Sequence, residues 1–272
     1  MVSAIRILLL IGFLTVAASY AAAAKPGRET IRPDAGDIRY GEKRAELTGH
    51  DPSSDRLLDV YLPRTPKPQS GYPCVMYIHG GGFRAGDKRQ RGSINSLGRK
   101  LLKDGIAVVS INYYLVRKYS KSKTRDRIRE ARCAAEDAEL AMKWIADHAD
   151  EYGIDPNRFA ICGSSAGART CFELAYIRSQ DSLKIRAVIP LWGSTESPEK
   201  FRGGTPPALI IHGDKDKVCD ISRAYAVKKR LDELKIPNRL IVMKGLGHSQ
   251  IPVVSRKYMK DVLGFLRQCW EN

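Results

Sequence analysis

Ser165 stands at the centre of Gly163-Ser164-Ser165-Ala166-Gly167, a G-x-S-x-G pattern in which small residues flank a hydroxyl. Arg158 to Cys162 reads as a short buried strand and Thr170 to Ile177 as a helix, so the serine falls on a sharp strand-to-helix turn. Such a turn presents the serine oxygen as a nucleophile. The helix opening behind it aims backbone N–H groups at any negative charge that develops there. The pentapeptide alone is a weak signal, because small-residue turns are common, and its surroundings carry the argument.

Roughly 85 residues upstream, the apolar run Cys74 to Ile78 leads into His79-Gly80-Gly81-Gly82-Phe83. Three consecutive glycines leave the backbone bare, so that N–H groups can approach a substrate oxygen as an oxyanion hole requires. A phosphate-cradling loop is the competing reading. Neither G-x-x-x-x-G-K-[ST] nor G-x-G-x-x-G fits this segment.

Serine is a poor nucleophile at neutral pH and needs a base and an orienting acid. On a turn of this kind the chain order is Ser, then Asp or Glu, then His. Of the histidines at 50, 79, 148, 212 and 248, only His212 and His248 follow Ser165. His212 ends the strand Ala208 to Ile211, and the nearby acids Asp214 and Asp216 follow it, so it reads as a strand-end histidine. His248 sits in Lys244-Gly245-Leu246-Gly247-His248-Ser249, a glycine-punctuated loop after the strand Leu240 to Met243, and is the expected base. Asp214, Asp216 and Asp220 are the candidate acids.

From Asp59 onward the chain resembles the carboxylesterase branch of the α/β-hydrolase superfamily that includes hormone-sensitive-lipase-like and feruloyl or acetyl-xylan esterase-like enzymes. The motifs that carry this are Asp59-Val60-Tyr61-Leu62-Pro63, the His79 to Phe83 loop with Gly86-Asp87, Asp137 and Trp144 on a helix, Tyr152 to Arg158 leading into the serine turn, His212-Gly213-Asp214 with Asp216 and Val218, and Gly247-His248. The resemblance implies Asp216 as the triad acid, with Asp214 in reserve, and Gly81, Gly82 and Ala166 as oxyanion N–H donors. It implies hydrolysis of short-chain or aromatic acyl esters through an acyl-enzyme, on plant or algal-type polysaccharides. A small-molecule carboxylesterase, a serine peptidase and a non-catalytic binding protein on the same fold are the rival readings. The chain departs from the family at Ala168, where a second glycine is usual, and Arg169 beside it is a candidate for contacting a substrate carboxylate.

Met1 to Arg6 is positively charged, Ile7 to Val16 is apolar, and Ala22-Ala23-Ala24 offers small residues before Lys25, so residues 1–24 read as a cleaved signal peptide. The expectation is a secreted or periplasmic protein without stable membrane insertion after cleavage. Residues 25–56 are polar and charged and read as an N-terminal arm, and residues 57–272 as one catalytic domain. The six cysteines permit disulfides in an exported protein without requiring them, and Cys74 and Cys162 on strands read as buried thiols. Neither cysteine spacing nor the dispersed histidines suggest zinc, and no metal or cofactor is expected.

Strands at 107–111 and 187–189 alternate with helical stretches at 96–103, 128–150, 222–234 and 253–270, which predicts an α/β fold with a mostly parallel sheet covered by helices on both faces. Fewer than twenty residues separate the strand ending near Pro190 from the one beginning near Ala208, too few for a large lid. An open pocket follows, with Trp192 as a candidate wall or else a buried core aromatic at the strand end. The formal charge of +16 is concentrated in Arg84 to Arg132, where fifteen basic and four acidic residues fall. This segment would form a basic rim that steers an anionic acylated small molecule or polysaccharide, or else a solvated surface. No nucleic-acid-binding module is recognisable.

Overall fold

The computed structural model describes residues 30–42, 56–90, 92–115, 126–178 and 183–271. The signal-peptide reading of 1–24 lies outside these residues, as does much of the arm. The described chain builds one eight-stranded sheet: β1 (Ala35–Arg39), β2 (Leu57–Tyr61), β3 (Tyr72–Ile78), β4 (Ala107–Ile111), β5 (Ile154–Ser164), β6 (Ala187–Leu191), β7 (Ala208–Gly213) and β8 (Asn238–Met243). Their spatial order is β1-β2-β4-β3-β5-β6-β7-β8. From β4 to β8 all neighbours are parallel, while β2 runs antiparallel to both β1 and β4.

The central strands are apolar without alternation because both faces are covered. Met76, Ile78, Val109, Ile161 and Ile210 enter one core, and Val75, Tyr77, Val108, Cys162 and Ile211 enter the other. On the first face lies the helix Arg127–Asp147. It is started by Asp126, whose side chain accepts from the Arg129 N–H at 2.9 Å, and it packs through Ala131, Ala134, Ala135, Ala138 and Ala141. Alanines at helical spacing leave a smooth stripe that lets the helix lie close to the sheet. On the second face lie a π-helical turn, Ser93–Gly98, its α-helical continuation, Arg99–Lys103, and the C-terminal helix, Met259–Glu271. The expected helices are therefore present, with shifted ends and π-helical stretches.

The strand order determines where a site can form. After β3 the chain crosses the second face to β4, whereas after β5 it crosses the first face to β6. Adjacent strands β3 and β5 thus send their connections to opposite faces, which opens a crevice at their carboxyl ends. The His79 loop and Ser165 occupy those two ends.

Two features differ from the sequence reading. Residues 35–39 of the expected arm form the edge strand β1, pairing Ile38 with Leu58. Lys88 and Arg89, counted in the basic rim, fasten that strand instead. Lys88 Nζ, on a side chain only 3% exposed, lies 2.7 Å from Asp37 Oδ1 and 3.2 Å from the fully buried Asp59 Oδ1. Arg89 donates to Asp59 Oδ2 at 2.6 Å and to Asp37 Oδ2 at 2.7 Å. The five-residue β1 is too short to hold itself, and these ions compensate charges that would otherwise be stranded. Of the remaining rim, residues 116–125 lie outside the described chain. Asp59→Ala removes the carboxylate shared by both cations, and urea denaturation should show a loss of about 3 kcal/mol or more. An unchanged midpoint would contradict this account.

Candidate active site

The reversal at Ser165 is tight. Its φ of 54° and ψ of −111° lie in a region that non-glycine residues rarely adopt. The conformation is held by the Ser165 N–H, which donates to Leu191 O at 2.9 Å, and by the helix Ala166–Phe172 that starts at once. Gly167 permits the helix to press against β3, because a Cβ there would collide with Ile78 O and come within 2.7 Å of His79 O. The loop after β3 returns the approach: a Cβ on Gly80 would lie 3.3 Å from Ser165 Cβ.

The Ser165 hydroxyl lies 2.8 Å from His248 Nε2, and His248 Nδ1 lies 2.7 Å from Asp216 Oδ2. In this arrangement His248 donates from Nδ1 to the carboxylate and offers its free Nε2 lone pair to the hydroxyl proton. Asp216 is buried, and its Oδ1 accepts from the N–H groups of Val218 at 2.8 Å and Cys219 at 2.9 Å. The two other candidate acids do different work. Asp214 accepts from Gly245 N–H at 2.7 Å and so shapes the loop before His248, while Asp220 accepts from Ser222 N–H at 2.9 Å where the next helix begins. His212, the strand-end histidine, is fully buried. Its Nε2 donates to Cys219 O at 2.7 Å and lies 3.3 Å from Asp216 Oδ2, the same oxygen that meets His248. Burial lowers the His212 imidazole, and the Cys219 carbonyl partly opposes this.

Gly81 has a φ of 124°, and a Cβ there would collide with Ala85 O, so the loop demands glycine. Among the described residues no protein acceptor takes the N–H of Gly81, Gly82 or Ala166. Gly81 and Gly82 follow β3 and Ala166 follows the β5 turn, so these three N–H groups belong to the two segments that flank the crevice. His79 stands behind the loop, stacked on Tyr113 with ring centroids 4.4 Å apart, and its Nδ1 donates to Gly80 O at 2.7 Å. The Tyr113 hydroxyl donates to His79 O at 2.8 Å. Burial lowers the His79 imidazole to about 4, against hydrogen bonding to Gly80 O and the nearby Asp87.

Trp192 is 1% exposed and meets His248 edge-on at 6.5 Å between centroids, so it backs the imidazole and is not an open pocket wall. Arg169, four residues beyond the serine, donates to Glu196 Oε1 at 2.8 Å, and Arg127 and Arg223 donate to the same oxygen at 2.9 Å each. Glu196 escaped the sequence reading. Its only signal there was an acidic residue in a short, proline-bearing connection. Cys74 and Cys162 are buried thiols in β3 and β5 without a disulfide.

A parallel sheet with a serine on the turn after its central strand, followed in the chain by an acid and then a histidine, defines the α/β-hydrolase fold. By its match over residues 58–197 the chain belongs to the BD-FAE family, and residues 187–272 match the Prolyl oligopeptidase family. The esterase cest-33 of Caenorhabditis elegans is 35% identical over 156 residues, 57% of this chain and 28% of that protein. Esterase LipI of Mycobacterium tuberculosis is 32% identical over 119 residues, 43% of this chain and 32% of that protein. The chain thus spans about a third or less of the length of these curated relatives. Among solved structures, the tabun-treated esterase 2 of Thermogutta terrifontis superposes with a TM-score of 0.70 at 17% identity, covering 88% of this chain and 96% of that one. A truncated carbohydrate esterase from gut microbiota gives 0.67 at 21% identity, covering 87% and 96%.

The neutral, buried His79 predicts an acid-sensitive fold. Its unfolded pKa near 6.5 exceeds its folded value of about 4, so the unfolded chain binds the extra proton between these limits. Stability from this group is complete above pH 6.5 and is lost as pH falls through 4, by roughly 3 kcal/mol in all. Urea titrations of the native protein and His79→Gln from pH 7 to 4 should differ in slope over this window, and parallel curves would refute the assignment.

Proposed function

We propose that this protein is a serine carboxylic ester hydrolase that works through an acyl-enzyme, and the observation that carries this is the unbroken hydrogen-bond line from Ser165 Oγ through His248 to Asp216. Ser165 is the nucleophile, His248 the general base, Asp216 the acid that orients the imidazole and stabilises its cation, and Gly81, Gly82 and Ala166 the oxyanion donors. As Oγ forms its bond to the ester carbonyl carbon, His248 Nε2 takes the hydroxyl proton and the carbonyl π electrons move onto oxygen. When the tetrahedral adduct collapses, the carbon–alkoxide bond breaks and the imidazolium protonates the departing alcohol. Water then repeats the attack on the acyl-enzyme, passing its proton to His248, and the acid leaves with Ser165 restored. The esterase names among the relatives support the reaction class.

Short-chain or aromatic acyl groups on polysaccharides are the substrate class we favour. The connection between β6 and β7, residues 192–207, holds only the turn Pro198–Lys200 and builds no helical lid, which suits a bulky substrate. The fold neighbour described as a carbohydrate esterase supports the same reading. An exported protein, with residues 1–24 removed, would meet such a substrate outside the cytoplasm. Peptide hydrolysis is the second reading, favoured by the match of residues 187–272 to the Prolyl oligopeptidase family.

Acetyl, butyryl, octanoyl and feruloyl esters, acetylated glycans and a matched anilide should be assayed with the native protein and Ser165→Ala. We expect ester turnover that prefers acetyl or feruloyl groups and falls about 10⁴-fold or more without the serine. Faster anilide than ester cleavage would support the peptidase, and serine-independent or absent turnover would refute ester hydrolysis at this site. Asp216→Asn should cost kcat about 10⁴-fold while Asp214→Asn retains most activity, which separates the two aspartates kinetically.

A further inference from the structure

Three guanidinium groups converge on one carboxylate, Glu196, in the connection after β6. Arg127, Arg169 and Arg223 each donate from Nη1 to Glu196 Oε1, at 2.9, 2.8 and 2.9 Å, and Arg223 also reaches Oε2 at 3.0 Å. Glu196 answers only one of the three positive charges directly, and even with Asp220 close enough to Arg223 to interact with its charge, a positive surplus remains. Most of the N–H groups on these arginines meet no protein acceptor among the described residues, since each guanidinium carries several donors in a rigid fork. A structural clamp would be expected to match its charges; this one holds like charges close together and repels itself. Burial alone would raise the Glu196 carboxyl, yet hydrogen bonds from Arg127 and Arg169, the Arg169 charge and Arg223 hold it down at about 2. Glu196 is therefore a fixed anion over the whole working range of pH, and the surplus is permanent.

The position of the cluster is as informative as its charge. Arg169 follows Ser165 by one helical turn, about 6 Å along the axis, on the same helix face, with its Cβ tilted back toward the serine. Glu196 lies four residues beyond Trp192, which touches His248, a reach of at most about 14 Å of chain. Arg223 is the second residue of the helix Ser222–Glu233 that follows the Asp216 loop. With Arg127 at the start of the helix that follows β4, the cluster is assembled from the connections after β4, β5, β6 and β7, at the carboxyl end of the sheet where the triad lies. It is open to solvent in part: side-chain exposure is 36% at Arg127, 40% at Arg223 and 27% at Glu196, against 12% at the inner Arg169.

We propose that Arg127, Arg169 and Arg223, held in place by Glu196, form a subsite for a carboxylate on the substrate and direct the enzyme to acyl esters of acidic sugars such as uronates. The planar fork of a guanidinium matches a carboxylate in two-point hydrogen bonding, and two arginines at the rim present such forks around a half-buried third. Glu196 keeps the three side chains converged in the absence of substrate, so little ordering remains to be done on binding. The subsite rests on the ester-hydrolase reading for its consequence in turnover, but its binding step stands apart from chemistry.

The test separates the two. Binding of methyl glucuronoside and methyl glucoside to the full chain carrying Ser165→Ala is measured by calorimetry, with and without Arg223→Gln or Arg127→Gln. The glucuronoside should bind at least tenfold more tightly at low salt, and this preference should shrink toward unity in both arginine variants and in 1 M NaCl. In the native protein, acetate release from O-acetylated methyl glucuronoside should exceed that from the acetylated glucoside by a similar ratio in kcat/KM, and Arg223→Gln should flatten the ratio. Equal affinity for the two sugars, or a preference that survives both substitutions and high salt, overturns the subsite. The salt series on the unsubstituted arginines decides the matter even if a variant fails to fold. A glucuronoside preference with no serine-dependent turnover of any ester would instead overturn the ester-hydrolase reading and leave the anion site standing.

Discussion

The tight reversal at Ser165 is the constraint on which the rest of the molecule depends. A non-glycine residue at positive φ costs of order 1–3 kcal/mol and persists only where its surroundings over-determine it. Here they do so through pairing as well as packing: β5 and β6 are in register up to Ser164 opposite Leu191, and the next N–H, that of Ser165, bonds to the Leu191 carbonyl. The helix that follows must leave toward the first face at once, and only glycine at 167 lets it pass β3. The sheet can therefore be regarded as a jig for one side chain.

Around that point the molecule divides its tasks by face and by strand. The connection after β3 brings the His79 loop from one face, that after β5 brings Ser165 from the other, and those after β7 and β8 bring Asp216 and His248. Each group follows a different strand, so sheet register sets where its segment begins, and local hydrogen bonds such as Gly245 N–H to Asp214 shape the loop from there. Supporting groups repeat the pattern one layer out. Tyr113, on the segment after β4, grips the His79 carbonyl, and His212, at the end of β7, braces the acid. Both are buried, so each holds its partner in a fixed place.

Most of this architecture was legible in the sequence, for definite reasons. Apolar runs of parallel strands and the motifs at 79–83 and 163–167 are local signals, and the chain order of Ser165, Asp216 and His248 restricted the candidates. The choice between Asp214 and Asp216 lay beyond local pattern, because it depends on which carboxylate the β7 turn aims at His248. β1 was illegible for a related reason. Its pairing energy comes from β2 and from ions at positions 59, 88 and 89, and nothing in residues 35–39 alone has a strand's apolar alternation. The same holds for the surroundings of Arg169 and Trp192: that one would be held by Glu196 and the other buried behind His248 depends on partners distant in sequence.

Asp37, Asp59, Lys88 and Arg89 join the sheet edge to the segment that directly follows the oxyanion loop. Proteins open locally in cooperative units, and a short edge strand belongs to the weaker ones. Because the ions that retain β1 are carried on the continuation of the His79 loop, fraying of the edge would slacken the backbone donors while the triad, anchored in the central strands, stayed assembled. The folded ensemble would then contain a sub-state with an intact nucleophile and a disordered anion cradle, present at a level set by edge opening and not by global unfolding. Conditions that weaken ion pairing, such as high ionic strength, would enlarge that sub-state well before the core melts.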